Sequence, residues 1–186
     1  MKRYSTLILM AIFAVVAFGQ TSPQQPAAPA AAPAAANPNP LSAELKQMYT
    51  GVKNNLTKMA EKMPEEHYGF KATTDIRTFG ELVAHVADSQ ARTCSTVNGA
   101  VKNLNAAAMK TKAELVAALK ESFTLCDQAV DGLTDAKAVE MISMGQRQST
   151  RLGALARTIS HSNLEYGYMA VYMRLKGIVP PSSEGR

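Results

Sequence analysis

Apolar residues recur every three or four positions along four stretches of the chain, and this is the period of one face of an α-helix. The stretches cover residues 42–62, 78–98, 111–133 and about 150–176. No segment alternates apolar and polar side chains over more than a few residues, so a β-sheet is not expected. Four amphipathic helices of this length predict an all-α fold, namely a four-helix bundle.

The residues that flank these stretches are typical of helix ends. Thr78 and Thr111 are each followed three residues later by a glutamate, which is the pattern of a capping box at a helix N-terminus. Pro64 follows the first predicted helix and stops it, and Gly177 is expected to end the last one. The sequence therefore predicts both the number of long helices and several of their boundaries.

Two of the predicted connections are long for the turns of a helical bundle. They are residues 64–77 and residues 134–148, and the second is expected to contain a short helix near residues 136–141. Loops of this length in a compact domain often border a functional site. Both connections are therefore candidates for the border of such a site.

The first 40 residues predict a targeting segment followed by a tether. Residues 1–19 combine a basic start, an apolar run and small residues before the expected cleavage point, as a signal peptide does. The apolar run rises only about 18 Å as a helix, which is too short for a stable membrane span. Residues 20–40 are rich in Pro and Ala and predict a disordered linker. Residues 41–183 are then the folded domain of an exported protein, either periplasmic or secreted.

Charge and composition exclude several classes of function. Lys and Arg total 20 and Asp and Glu total 15, but the basic residues form no block or stripe suited to nucleic acid. A hydrophobic content of 46% excludes disorder of the main segment. We therefore expect a single helical domain that does not bind nucleic acid and whose substrate, if it has one, is a small molecule of unknown identity.

The two cysteines, Cys94 and Cys126, fall on the inward faces of the second and third predicted helices. In an exported chain two such thiols can oxidise to a disulfide across the core. The alternative is that both act as small buried apolar residues. A catalytic cysteine is less expected, because neither lies at a helix N-terminus beside a cation.

The three histidines differ in their surroundings. His67 lies in a loop beside two glutamates and is interpreted as a surface residue. His85 and His161 lie inside apolar helices, where an imidazole needs a partner. Glu165 follows His161 by four residues, so both side chains share one helix face. Two imidazoles and one carboxylate can bind a metal ion and leave some of its coordination positions open. The alternative is a buried histidine pair without metal, with Glu165 accepting a hydrogen bond from His161.

Four short motifs stand out by their order and spacing, namely residues 63–70 (MPEEHYGF), 77–88 (RTFGELVAHVAD), 161–167 (HSNLEYG) and 172–182 (YMRLKGIVPPS). Together they resemble the DinB-like (DinB/YfiT) superfamily, and the resemblance extends over residues 41–183. It implies an up-down four-helix bundle, often a homodimer, with a divalent metal held near one end by three histidines.

Carried over residue by residue, the resemblance makes His85 the first metal ligand and His161 the second. The third position is Glu165 here, where the family pattern has histidine. A carboxylate still binds zinc, nickel, iron or manganese, which the sequence does not distinguish, and its negative charge favours the harder cations.

The resemblance also implies a reaction class, because characterised members include metal-dependent transferases and isomerases that use a small thiol. The expected activity is metal-assisted thiol transfer or hydrolysis, with Asp88 or Tyr168, one turn from the ligands, orienting a ligand or supplying a proton. The alternative is a non-catalytic exported bundle that sequesters metal or binds a partner. In that case Tyr166, Tyr168, Met169 and Tyr172 are packing residues.

Overall fold

The computed structural model describes residues 37–185, which are mostly helical. The predicted signal peptide, residues 1–19, and residues 20–36 of the predicted linker lie outside the described residues. Between residues 37 and 185, no helix combines the length and the apolar character needed to cross a membrane.

The described residues contain five α-helices, two β-strands and three single turns of 3-10 helix. The helices and strands are α1 Pro40–Lys62, α2 Phe79–Val97, α3 Lys112–Asp131, α4 Asp135–Ala138, β1 Met141–Met144, β2 Arg147–Thr150 and α5 Arg151–Leu175. The 3-10 turns are Glu65–His67, Ala106–Ala108 and Pro181–Ser183.

The four long helices correspond to the four predicted ones, and the expected end signals are confirmed. The Thr78 and Thr111 hydroxyls each accept a hydrogen bond from the backbone amide of the glutamate three residues on, and both capping boxes are complete. Gly177 follows α5 with φ +71°, a left-handed conformation that favours glycine. The short helix expected near residues 136–141 is α4, which begins one residue earlier and ends at Ala138.

The core lies between the long helices. Helix α2 packs against α3 and α5, and α1 packs against the same two helices. Burial of the large apolar side chains between them is the main source of stability. The largest of these buried apolar side chains are Phe79, Leu56, Met59, Met63, Leu119, Leu155, Met169 and Met173.

Cys94 of α2 and Cys126 of α3 form the predicted disulfide, with their Cα atoms 4.9 Å apart. Both residues are buried in the core. The bond joins two neighbouring helices and closes a sequence separation of 32 residues. It therefore restricts the unfolded chain as well as linking α2 to α3.

The expectation of a fold without a sheet is wrong at one place. Strands β1 and β2 form an antiparallel hairpin around Gly145, whose φ is +70°. Arg151 closes the base of the hairpin, because its backbone amide and its side chain both donate to Glu140. Strands of four residues are too short to give a clear period-two pattern, which is why the sequence did not reveal them.

The N-terminus of α1 is capped by a side chain from a distant part of the chain. Asn39 gives α1 no side-chain cap. Instead, the Asp135 carboxylate at the start of α4 accepts hydrogen bonds from the amides of Leu41 and Ser42, at 3.1 and 2.8 Å, and from the Ser42 hydroxyl. One carboxylate thus satisfies free amides of one helix while fixing another against it.

We expect Asp135→Asn to lower the melting temperature at pH 7. Desolvation, the largest single effect, raises the pKa of Asp135, but the hydrogen bonds from Ser42 and Leu41 together outweigh it, so the pKa lies below its usual range. A lowered folded-state pKa gives stability that is present above the unfolded value and is lost as the pH falls through the folded one. The difference from wild type should therefore shrink below about pH 4. Thermal melts from pH 2 to pH 7 test this.

Glu44→Gln is the matched control for this measurement, since Glu44 is an exposed acid of α1, the helix that Asp135 caps, and its side chain has no hydrogen bond among residues 37–185. It should leave the melting temperature nearly unchanged. An Asp135→Asn deficit that stays constant with pH would show that the carboxylate charge does not act as the cap.

The Cys94→Ala/Cys126→Ala double variant should lose about 3–4 kcal/mol of unfolding free energy, because the loop-closure entropy of the unfolded chain is restored. Urea titration monitored by circular dichroism measures the loss. Reduction of the wild type should reproduce most of it, and the double variant should not respond to reductant. Two free thiols in the unfolded, untreated wild type would contradict the bond.

Candidate metal centre

Helices α2 and α5 bring the three predicted ligands together. His85 comes from the middle of α2, and His161 and Glu165 come from one face of α5. The two Nε2 atoms are 3.0 Å apart. Glu165 Oε1 lies 3.7 Å from the first Nε2 and 3.5 Å from the second. The spacing of four residues places both α5 side chains toward the same point, as the sequence predicts.

These separations fit a shared divalent cation. Metal bonds of about 2.0–2.1 Å at tetrahedral angles place neighbouring ligand atoms about 3.3 Å apart. The three separations in the triad, 3.0, 3.5 and 3.7 Å, lie on either side of this value. Two imidazole nitrogens and one carboxylate oxygen are also a donor set that zinc, nickel, iron and manganese accept.

The hydrogen-bonding state of Glu165 also fits a cation. The side chain is nearly buried, with 6% relative exposure, and its Oε2 has no hydrogen-bond partner among the described residues. Of the alternative without metal, the histidine pair is present, since the two Nε2 atoms are at hydrogen-bond distance, but Glu165 Oε1 lies 3.5 Å from His161 and does not accept a hydrogen bond from it. A buried carboxylate without a donor is costly, and a bound cation would compensate its charge.

The surroundings of His85 favour its neutral form, which is the form that binds metal. Burial lowers the pKa of His85, and the positive charge of Arg77 lowers it further. The charge of Glu165 acts in the opposite direction, but the pKa remains below its ordinary value. The imidazole is therefore available as a ligand near neutral pH.

An open cleft of about 1210 Å³ reaches the triad, and His85 and Glu165 are part of its wall. Residues 71–77, which belong to the first long connection, also line the cleft, as do Tyr168 and Tyr172 of α5. This confirms that the first long connection borders the site. A small molecule in the cleft would have direct access to two of the three ligands.

The two residues expected to assist the ligands have different environments. Asp88 lines the cleft, but both of its oxygens accept backbone amide hydrogen bonds, from Ala106 at 2.8 Å and Ala107 at 3.1 Å. It therefore fixes the turn at Ala106–Ala108, and its assistance to the ligands stays a prediction. Tyr168 also lines the cleft and is 50% exposed. A proton-supplying role for its hydroxyl likewise stays a prediction.

The other candidate residues are placed as follows. His67 lies in the 3-10 turn Glu65–His67 and is not part of the triad, in agreement with its interpretation as a surface residue. Of the four residues interpreted as packing residues, Tyr166, Met169 and Tyr172 are buried. Tyr168 is not, so the packing interpretation is wrong for this side chain.

Two features of the cleft were not identified from the sequence. Arg77 lines the cleft, and the Tyr172 hydroxyl donates a 2.7 Å hydrogen bond to the Arg77 carbonyl. Nothing in the local pattern pairs residues 95 positions apart, so only the long loop before α2 pointed to this region. The hydrogen bond ties the end of this loop to α5, which also carries two of the ligands.

Comparisons with known proteins agree with this architecture. A family model described as the DinB superfamily matches residues 48–169. A search of curated proteins gave no significant match.

Three solved structures have a similar fold. A DinB-like protein from Bacillus cereus is 17% identical, with 74% of this chain and 93% of that chain covered and a TM-score of 0.65. A DinB-like protein from Bacillus subtilis is 21% identical, with 72% and 92% covered and a TM-score of 0.59. A conserved protein from Enterococcus faecalis is 14% identical, with 72% and 95% covered and a TM-score of 0.56.

Tyr172→Phe should loosen the loop that borders the cleft, because it removes the hydroxyl that holds the Arg77 carbonyl and leaves the buried ring in place. We expect a loss of about 0.5–1.5 kcal/mol in stability and faster amide hydrogen exchange within residues 71–78. Exchange measured by mass spectrometry resolves this region.

Tyr166→Phe is the matched control, since the Tyr166 hydroxyl accepts from the Ser182 amide and holds the C-terminal turn instead. Its effect on exchange should appear near residue 182. Equal exchange of residues 71–78 in wild type and Tyr172→Phe would show that the hydrogen bond does not restrain the loop.

Proposed function

Because this chain belongs to the DinB superfamily, we propose that His85, His161 and Glu165 bind one divalent cation and that the adjoining cleft binds a small molecule for metal-assisted thiol transfer or hydrolysis. The observation that carries the proposal is the convergence of three ligand atoms from two helices, all within 4.8 Å of one another. A divalent cation there would act as a Lewis acid that makes a thiol or water more nucleophilic.

The number of protein ligands supports a reactive role over a purely structural one. Structural zinc sites are closed by four protein ligands, whereas catalytic sites keep an open position. Here the described residues provide three ligands, and the cleft reaches two of them. A metal-sequestering bundle has no need of such a cleft, so we rank the catalytic proposal above it.

The remaining residues of the cleft would position the reactant. Tyr168, one turn after Glu165, presents its ring to the cleft and is the proposed proton donor. Asp88 would act indirectly, because it accepts the hydrogen bonds that hold the turn Ala106–Ala108 beside the site. Tyr172 holds the loop at Arg77, which limits the movement of this part of the cleft wall.

We further propose that the domain is exported and that its four long helices form the up-down bundle that the resemblance implies. The disulfide between Cys94 and Cys126 supports export, since such bonds persist in oxidising compartments. The packing of α1 and α2 against both α3 and α5 supports the bundle.

Equilibrium dialysis against zinc, nickel, manganese or iron, followed by elemental analysis, tests the proposal. We expect about one equivalent of metal in the wild type. His85→Ala and His161→Ala should each weaken metal binding by more than about a hundredfold. This exceeds the loss that follows removal of a residue that only orients a ligand. His67→Ala is the matched control and should bind like the wild type, because His67 lies outside the triad.

Glu165→His tests the departure from the three-histidine pattern. Replacing the carboxylate by an imidazole should shift the preference from manganese toward zinc and nickel, because softer nitrogen ligands favour these metals. Metal uptake by His85→Ala, His161→Ala and Glu165→His that equals that of the wild type would contradict the proposed site. If metal binds and a screen with small thiols and activated esters shows no turnover, the sequestration alternative replaces the catalytic one.

A further inference from the structure

Lys71 and Arg77 are the two cations that line the cleft in the described part of the chain, and of these two only Arg77 makes no hydrogen bond through its side chain. It lies at the end of the loop before α2, and Tyr172 fixes its carbonyl. Its guanidinium is exposed to the cleft, and between residues 37 and 185 no carboxylate or carbonyl accepts a hydrogen bond from it. It lines the same cleft as the ligands His85 and Glu165, so a molecule in the cleft can reach Arg77 and the metal site together.

The other charged side chains of the cleft, apart from the triad, already have partners. Asp88 accepts from two backbone amides, and Glu81 accepts from the amide of the α2 cap. Lys71 donates to a backbone carbonyl, and Asp75 accepts from a neighbouring hydroxyl. Arg77 is therefore the side chain of the cleft wall whose five N–H donors are free for an incoming acceptor.

Three large apolar side chains also face the cleft although they are exposed. Ile76, Tyr168 and Val171 are 41, 50 and 53% exposed, and all three line it. Exposed apolar side chains gathered around a concave site are typical of ligand binding. A molecule that covers them would have an apolar body, with one polar end at Arg77 and the other at the metal ligands.

We infer that the cleft takes a small carboxylic acid with an apolar body, whose carboxylate pairs with Arg77 while its other end faces the metal ligands. This inference rests on the proposed metal site and names the class of its substrate. The planar guanidinium matches a carboxylate through two parallel hydrogen bonds.

A monoanion suits the cleft better than a doubly charged phosphate. Four acidic residues, Asp75, Glu81, Asp88 and Glu165, line the cleft against two basic ones, Lys71 and Arg77. Each additional negative charge on the ligand increases its repulsion from these carboxylates. A ligand with a single carboxylate therefore gains the ion pair with Arg77 and meets the least repulsion from these acidic residues.

The test compares two probes that differ only in the carboxylate. Adipic acid monohydroxamate and hexanohydroxamate share a six-carbon chain and a metal-binding hydroxamate, and the flexible chain lets the carboxylate reach the guanidinium. Both are titrated calorimetrically into the cobalt-loaded protein. The wild type should bind the carboxylate probe more tightly by about ten- to a hundredfold, the effect of a hydrogen bond to a charged group. Arg77→Gln should abolish this preference, and Arg77→Lys should keep part of it.

Arg92→Gln is the matched control. Arg92 is a cation of α2 that does not line the cleft, so this variant removes one positive charge and leaves the proposed carboxylate site intact. It should keep the full preference. Cobalt uptake, followed by the visible spectrum, is measured for every variant.

The outcomes separate the two proposals. Normal cobalt uptake with no preference in the wild type, or with an undiminished preference in Arg77→Gln, overturns the carboxylate site and leaves the metal site standing. A preference that is lost equally in Arg92→Gln also overturns it. A wild-type protein that takes up no cobalt overturns both proposals. Inorganic phosphate that competes more strongly than adipate overturns the choice of a carboxylate.

Discussion

The buried charge of Glu165 is the constraint around which the site is organised. Its carboxylate lies between α2 and α5 with one oxygen near two imidazoles and the other without a hydrogen-bond partner in the described part of the chain. A carboxylate that is removed from water and lacks donors is stabilised by a bound cation, and the two imidazoles offer that cation further ligands. The packing of α2 on α5 and the nature of the ligand side chains therefore both serve to bring a cation to the Glu165 carboxylate.

Long-range hydrogen bonds to backbone groups keep the walls of the site in place. Tyr172 holds the loop at Arg77, and Asp88 holds the turn at Ala106–Ala108. Outside the cleft, Asp135 caps α1 from the start of α4 in the same way. Each of these side chains joins segments that are far apart in sequence. The cleft thus has a rigid helical wall and a tethered loop wall, an arrangement that suits the binding of a small molecule.

Local signals predicted much of the fold. The helical period located the four long helices, and the threonine–glutamate pairs located the starts of α2 and α3 because a capping box involves only neighbours in sequence. The hairpin of β1 and β2 was missed, since four-residue strands carry too little pattern. The metal ligands were predicted from apolar surroundings, a four-residue spacing and a family resemblance, whereas Arg77 carried no comparable signal.

The sequence by itself determined the four long helices, the capping boxes of α2 and α3 and the position of His161 and Glu165 on one face, because these depend on contacts within one or two helical turns. Only the tertiary structure decided that His85 meets them at 3.0–3.7 Å and that Arg77 and Tyr172 complete a cleft beside them. The distances between separate helices depend on how whole side-chain surfaces pack, and no short segment of sequence encodes that packing.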